Sequence, residues 1–437
     1  MIILPSLEIV PAKYNGSTLL SQIPIDGTGD FAVTRATSPT TNRSTRVNAL
    51  GQIELVADNV PRLDYPIGGG CPALLVEPAA TNGIRNNSMV GAVTGSPGTA
   101  PTNWIVGGAG LTQQIVAVGT ENGVSYIDLR LSGTATASTA TLSFESATQI
   151  AALTGQTWTI SSYLKTISLP SPPSSFALAI TERTSGGAIV VQQTTNVSLT
   201  SNLARYTYSP TLNGGATTAF AQPRLFFVLV VGQTYDFTVR VGYPQMELGS
   251  VATSVIPTTT QAITRAADVI TDATASGVIG QTQGTIYAEF EHTSNTAERR
   301  LIALSDGNVT NRIFIWAESN ILYAQIQGNS LTIVNPIPSG YNKIAFAYQQ
   351  NGVSGNLFAS INGGAVVSGT STTYPSTLSR VAIGSSENAA AAVFQWNNRI
   401  RAAALYPTRL TNTQLALLTS PYTSYSSMAS ALSYTLG

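Results

Sequence analysis

The chain has 437 residues and carries 21 basic and 21 acidic side chains, so no overall field draws it to nucleic acid or to an anionic membrane surface. Only 10% of the residues are charged against 43% hydrophobic, and Thr, Ser, Asn and Gln supply most of the polar surface, a composition suited to β-sandwiches with neutral polar faces. At about 150 residues per domain the length holds two or three domains.

The single cysteine, Cys71, excludes an intrachain disulfide and a Cys-based zinc site; such a residue is expected to be small and buried. The opening MIILPSLEIVPAK lacks the basic segment and unbroken apolar run of a signal peptide. No stretch approaches the roughly eighteen apolar residues of a membrane span.

Residues 1–84 read as extended chain punctuated by Pro and Gly, with Arg35, Arg43 and Arg46 set among Ser and Thr and followed by Glu54 and Asp58. A nucleic-acid-binding arm needs denser charge and interleaved aromatics. Within PRLDYPIGGGCPALLVEPAATN (61–82) only 73–76 has the pattern of a strand. The series DFAVTRATS (30–38), RVNALGQIELV (46–56), PRLDY (61–65) and LLVEPAATN (74–82) resembles the N-terminal region of a group of tailed-bacteriophage virion proteins that serve as tail, fibre or head-decoration components. The resemblance implies location on the phage particle, docking of residues 1–84 to other virion proteins, and a homo-oligomer, by family a trimer. With few regular alternations, this region is expected not to fold alone but to order against the rest of the chain, a symmetry mate or a particle protein.

From residue 85 to 259 the pattern is that of strands. Trp158, Ile160, Ser162 and Leu164 alternate with Thr157, Thr159, Ser161 and Tyr163, and Tyr235, Phe237, Val239 and Val241 alternate with Asp236, Thr238 and Arg240. Several such runs between turn signals predict a sandwich. The segments GQTWTISSYLK (155–165) and YPQMELGSVATSVIPT (243–258) resemble strands of jelly-roll carbohydrate-binding modules. Where that family often places calcium-binding acids, this chain has Val241, Gly242, Tyr243 and Pro244, and no metal is expected. Pro257 and the Thr run at 258–260 then mark a short, stiff connector, beyond which a fragment from about Thr264 is expected to fold by itself.

Within residues 260–437 the pattern sharpens from Gly284, with GTIYAEFEH, RIFIWAESNILYAQIQG and NKIAFAYQQNGVSGNLFASINGG as strands and hairpins at close spacing with Asn-Gly turns. One helix is predicted: Thr411 and Gln414 form a capping box, Leu410 and Leu415 a hydrophobic staple, and Leu417 and Leu418 continue the apolar side. This region resembles a laminin-G-like, concanavalin-type sandwich in the form common in bacteriophage members. The expected fold is all-β: two antiparallel β-sandwich domains in tandem, a jelly roll at 85–259 and a laminin-G-like sandwich at 260–437, after an extended N-terminal region.

His292 is the only histidine, which removes most nucleophile-plus-base chemistry and histidine-based metal sites. Glu289 and Glu291, two apart on one strand, point to one face, but glycoside cleavage needs two acids in opposed environments flanking a cleft. Asp306, Gly307 and Asn308 read first as a turn and only second as a source of calcium oxygens. No catalytic residue and no cofactor is expected. The reading is a non-enzymatic virion protein presenting lectin-like sandwiches for host-surface glycans; the alternative is a glycan-cleaving tail component, a depolymerase.

The glycan candidate comes from strand parity. Ile313, Ile315 and Ala317, with Leu322, Ala324 and Ile326, form an all-apolar set that must share the core face. That parity requires an even loop, and Ser319-Asn320 is the shortest. Trp316 then lies opposite Tyr323, Phe314 opposite Gln325 and Arg312 opposite Gln327, on the face turned away from this core. Rings for sugar C–H faces and polar groups for hydroxyls make these five, Arg312, Phe314, Trp316, Tyr323 and Gln325, the predicted site, unless another strand, domain or copy covers the face.

Overall fold

Apolar residues at every second position become paired strands along most of the chain, and among its described residues the computed structural model is all-β with one short α-helix. It describes residues 4–11, 13–35, 44–66, 69–294, 296–386, 388 and 393–421; Arg43 and the last three residues of DFAVTRATS lie outside them.

The jelly roll has two five-stranded antiparallel sheets. One runs in the order Ile105–Gly107, Thr139–Ser143, Phe220–Val228, Ser175–Arg183, Ile189–Val197; the other Thr112–Glu121, Val124–Thr134, Thr234–Leu248, Trp158–Ser171, Ala204–Tyr208. Ile127, Leu129 and Leu131, Trp158, Ile160 and Leu164, and Phe237, Val239 and Val241 from the second sheet pack on Leu142, Leu178, Ile180, Leu225 and Phe227 from the first.

The second sandwich is built from both ends of the chain. Its nine-stranded sheet runs Tyr14–Asn15, Thr18–Leu19, Phe31–Thr34, Val269–Asp272, Arg380–Ile383, Arg299–Ser305, Arg312–Glu318, Ile321–Ile326, Asn329–Val334. The eight-stranded sheet facing it centres on Gln283–His292 and Asn398–Tyr406, and the latter strand also pairs with Leu7–Ile9 and Ala73–Val76. Six strands from residues 1–84 thus lie in these two sheets. Leu7, Ile9, Phe31, Val33, Leu74 and Val76 share one core with Ile286, Phe290, Ile315 and Leu405. The N-terminal region is therefore not a separate extended arm. Its strands, two to four residues long, are too short to bury a face by themselves, and the C-terminal sheets supply the missing backbone partners.

The jelly roll is an insertion in that sandwich, entered and left through a neck where Ala80–Asn82 pairs with Ile263–Arg265. It also leans on the N-terminal hairpin of Thr45–Val47 and Ile53–Leu55. The Ile53 amide donates to the Asn122 carbonyl at 2.9 Å, and Gly123, with φ +77, lies so close that an added Cβ would sit 2.0 Å from the Ile53 carbonyl oxygen. Only glycine fits there.

The helix Asn412–Thr419 starts as its sequence dictates, with the Thr411 side chain accepting from the Gln414 amide and the Gln414 side chain returning to Thr411. Leu410, Leu415 and Leu418 seat it on Ala345, Ala347 and Ala404 of the eight-stranded sheet, while Leu417 is half-exposed. Cys71 is exposed: it follows Gly69 and Gly70, both at positive φ, in a stretch outside any strand and away from either core.

At the neck lies a buried ionic cluster. Arg35 Nη1 meets Asp268 Oδ1 at 2.9 Å, Arg62 Nη1 and Arg265 Nη1 each meet Glu77 Oε2 at 2.6 Å, and Arg62 Nη2 also bonds Asp268 Oδ2. The three guanidinium side chains are wholly buried. Ser254 donates its hydroxyl and its amide to Glu77, both at 2.7 Å. Burial alone would raise the Glu77 carboxyl; Arg265 and Arg62, helped by Ser254, outweigh it and hold the group well below the ordinary carboxylate range.

Because the folded-state value is depressed, the stabilisation from Glu77 is complete above its ordinary value of 4.5 and is lost progressively as pH falls below it. Glu77→Gln should cost about 3–5 kcal/mol in urea unfolding near neutral pH, since it strands buried arginine charge, and its stability should fall less steeply than the parent's below that pH. A fragment beginning near Thr264, lacking six strands, should show no cooperative thermal transition. Residues 85–259 expressed alone should melt cooperatively.

Candidate functional site

The hairpin of Arg312–Glu318 and Ile321–Ile326 turns through Ser319 and Asn320, both at positive φ (51° and 63°), the conformation of a two-residue type I′ loop. Its register pairs Trp316 with Tyr323 and Phe314 with Gln325, and the Gln327 amide donates to the Arg312 carbonyl at 2.9 Å. All six residues of the apolar parity set lie in the core. The five predicted residues therefore share the outer face of the nine-stranded sheet.

They differ in how far they reach solvent. Trp316 and Tyr323 stack with centroids 4.5 Å apart and planes at 20°, and both are half-buried, as is Arg312. Phe314 is 1% exposed and packs on Ala303 and Ala382. It is roofed by the guanidinium groups of Arg300 at 4.2 Å and Arg312 at 4.5 Å. Gln325 is buried, accepting from Ser330 Oγ at 3.1 Å and donating to the Gln327 carbonyl. Part of the cover comes from this chain: the Arg300 amide donates to the Phe394 carbonyl at 2.8 Å, and the Arg300 guanidinium lies 4.9 Å from the Phe394 ring and 5.6 Å from that of Trp316. Burial, with Arg300 nearby, lowers Arg312 to about 10. The exposed remainder is an amphipathic ledge: one stacked aromatic pair with a cation at its edge, able to take a sugar ring against apolar faces while bonding its hydroxyls.

Glu289 and Glu291 do point to one face, opposite Ile286, Ala288 and Phe290 in the core. Each is held by an arginine of the neighbouring strand, Glu289 by Arg401 at 3.3 Å and Glu291 by Arg399 at 2.9 Å; Arg399 also binds Asp64 at 2.6 Å. His292 is buried, and burial lowers its pKa. Asp306 Oδ1 accepts from the Asn308 amide at 2.9 Å, closing the expected turn.

Two further polar constellations escape a reading of the sequence. On the outer face of the first jelly-roll sheet, Arg224 lies 4.8 Å over Phe226 and donates to Ser143 Oγ at 3.1 Å and Thr181 Oγ1 at 3.4 Å; burial, then Arg183, lowers it to about 10. Parity in FAQPRLFFV places Gln222, Arg224 and Phe226 together, the one signal available for this face. Between the jelly roll and the second sandwich, a cavity of about 240 Å³ is bordered by Arg46, Asp64, Tyr163, Arg205, Glu291 and Arg399. These come from strands up to 350 or so positions apart, a convergence no local motif announces.

No protein-family model matches this sequence, and no curated protein matches it. Solved structures similar to part of the chain include the CBM40 module of the Ruminococcus gnavus IT-sialidase bound to α2,3-sialyllactose, at 18% identity over 33% of this chain and 86% of that one, TM-score 0.28. Another is the NanB sialidase of Streptococcus pneumoniae, at 14% identity over 35% of this chain and 27% of that one, TM-score 0.29. A CBM4 structure is 18% identical over 38% of this chain and 99% of that one, TM-score 0.25. These three are carbohydrate-binding modules and a sialidase, and at these scores the likeness carries no inference about what this chain binds.

Proposed function

We propose that the chain is a non-enzymatic bacteriophage virion protein, a fibre, tail or capsid-decoration component, that holds host-surface glycan on its second sandwich. The observation that carries the glycan reading is the half-exposed Trp316–Tyr323 stack with Arg312 beside it. Large aromatic surface kept partly in water is costly unless a ligand or partner uses it. Placement on the phage particle rests on the four N-terminal segments quoted above. Docking to other virion proteins falls to the surface residues of that region, among them Ile25, Leu50 and Leu55, all exposed.

The non-enzymatic reading is supported by the arginine pairing of Glu289 and Glu291. Glycoside hydrolysis requires two carboxyls left to act across an open cleft, and these two are tied side by side to the next strand. Incubation with host capsular or surface polysaccharide is expected to give retention of the protein on the polymer without new reducing ends. Release of reducing ends would establish the depolymerase instead.

Tyr323→Ala removes one ring of the stack and should weaken polysaccharide binding at least about tenfold, ~1.4 kcal/mol, with the melting temperature nearly unchanged. Trp316→Ala with Tyr323→Ala should abolish binding. Unchanged binding by both variants would place the glycan elsewhere, and loss of assembly or a large drop in melting temperature would identify the ledge as a covered contact.

A further inference from the structure

The strand Ile189–Val197 ends its sheet, with Ser175–Arg183 on one side and no strand on the other. Among the described residues, no backbone hydrogen bond reaches 190–197 apart from those of that one ladder. An open edge of this length is an invitation to pair, and folded proteins normally guard it with charge, proline, a bulge or a covering loop. The other long edge of the jelly roll is guarded in two of these ways. Thr112–Glu121 is bulged between Ile115 and Ala117, and Gly95 exchanges hydrogen bonds of 2.9 and 3.1 Å with Ile115.

Residues 191–197 have no charge, proline or bulge, and among the described residues the one loop hydrogen bond to them is by side chain, Gln193 Nε2 donating to the Thr211 carbonyl at 3.1 Å, which leaves the backbone edge unpaired. They read VQQTTNV, without charge, proline or glycine, and their register against Ser175–Arg183 is regular from Val191 to Val197, the one shift lying before Val191. The segment is also nearly palindromic about Thr194. Laid antiparallel on a second copy of itself, Val191 meets Val197, Gln192 meets Asn196, Gln193 meets Thr195, and Thr194 meets Thr194. Every pair keeps both members on the same face, as strand pairing demands. Gln192, Thr194 and Asn196 are exposed on one face, while Val191, Gln193, Thr195 and Val197 are half-buried on the other. The outer face would form amide and hydroxyl pairs, and the inner face would gain two valine contacts that continue the core.

We propose that two copies of this chain pair through 191–197 about a two-fold axis at Thr194, joining two five-stranded sheets into one continuous sheet. A second copy is the partner that this palindrome selects, because an isologous contact requires each residue to complement its mirror position, and a foreign strand would impose no such symmetry. With a formal net charge of zero, the two copies carry no overall repulsion to overcome.

Light scattering on the full chain after size exclusion is expected to give twice the chain mass. Thr194→Lys, which sets two ammonium groups face to face at the axis, should halve that mass without lowering the melting temperature of the jelly roll. In a Cys71→Ser background, Thr194→Cys should oxidise to a covalent dimer, whereas Asn196→Cys, which faces Gln192, should not; this pair of variants decides the matter even if the lysine variant misfolds. A parent that stays monomeric at every concentration, a trimer unaffected by Thr194→Lys, or equal cross-linking at the two cysteine positions would overturn the proposal.

Discussion

Three buried arginines around two carboxylates hold the neck of this molecule, and both halves of the architecture depend on them. Arg35 follows the Phe31–Thr34 strand, Arg62 and Glu77 flank the short N-terminal strands of the eight-stranded sheet, and Arg265 and Asp268 lie on the returning chain beyond the jelly roll. Pairing them brings together parts of the sequence separated by up to 233 positions. Taking such charges out of water costs several kcal/mol per ion and is recovered only when every partner is in place. The cluster therefore acts as an all-or-none test of whether the chain has returned to the right place. Glu247 stands next to it through Thr253, whose hydroxyl and amide donate to its carboxylate and whose oxygen accepts from Arg265. Burial pushes the Glu247 carboxyl up, against the hydrogen bonds from Thr253 and Gln245 and the nearby Arg205 and Arg265, which favour its charged form.

The two sheets of the second sandwich have different outer faces. The eight-stranded sheet is closed by the helix Asn412–Thr419, which spends its apolar side on the alanines of that sheet. Among the described residues the nine-stranded sheet has no such cap over its aromatic ledge; the cover they supply is local, where Arg300 and Phe394 lie against Phe314 and Trp316. Glutamates and arginines line the rest of the first face as mutual partners. The ledge is thus where this sandwich offers a stacked aromatic pair.

What was legible in the sequence was local. The register of the Trp316–Tyr323 hairpin follows from six apolar residues that cannot change face and a loop that must be even, and the helix start follows from Thr411 and Gln414 alone. What was hidden depends on remote partners. Arg35 stands among Thr, Ala and Ser and Arg62 beside Pro61, and nothing nearby in the sequence reveals acids that arrive from Glu77 and Asp268. The short N-terminal strands have too few alternations to declare a sheet, and their partners lie as far off as Leu405. Parity gave the face of Phe314 and Gln325 but not their burial: Phe314 is covered by Arg300, which a register shift before Ile302 brings opposite Trp316, and Gln325 is engaged by Ser330 on the next strand.

The pairing of Leu7 with Leu405 also orders events in time. A ribosome adds about 5–20 residues per second, so the first strand must wait roughly 20–80 seconds for its partner to be made. Meanwhile the jelly roll emerges whole and can close on its own core. The apolar LEI and LLV segments wait for strand partners near residue 400, and FAV waits for Val269–Asp272, each an edge open meanwhile to any other nascent chain. Synthesis of this protein is thus exposed to misassembly in proportion to the length of the inserted domain, and slowing translation across it would lengthen the hazard rather than aid folding.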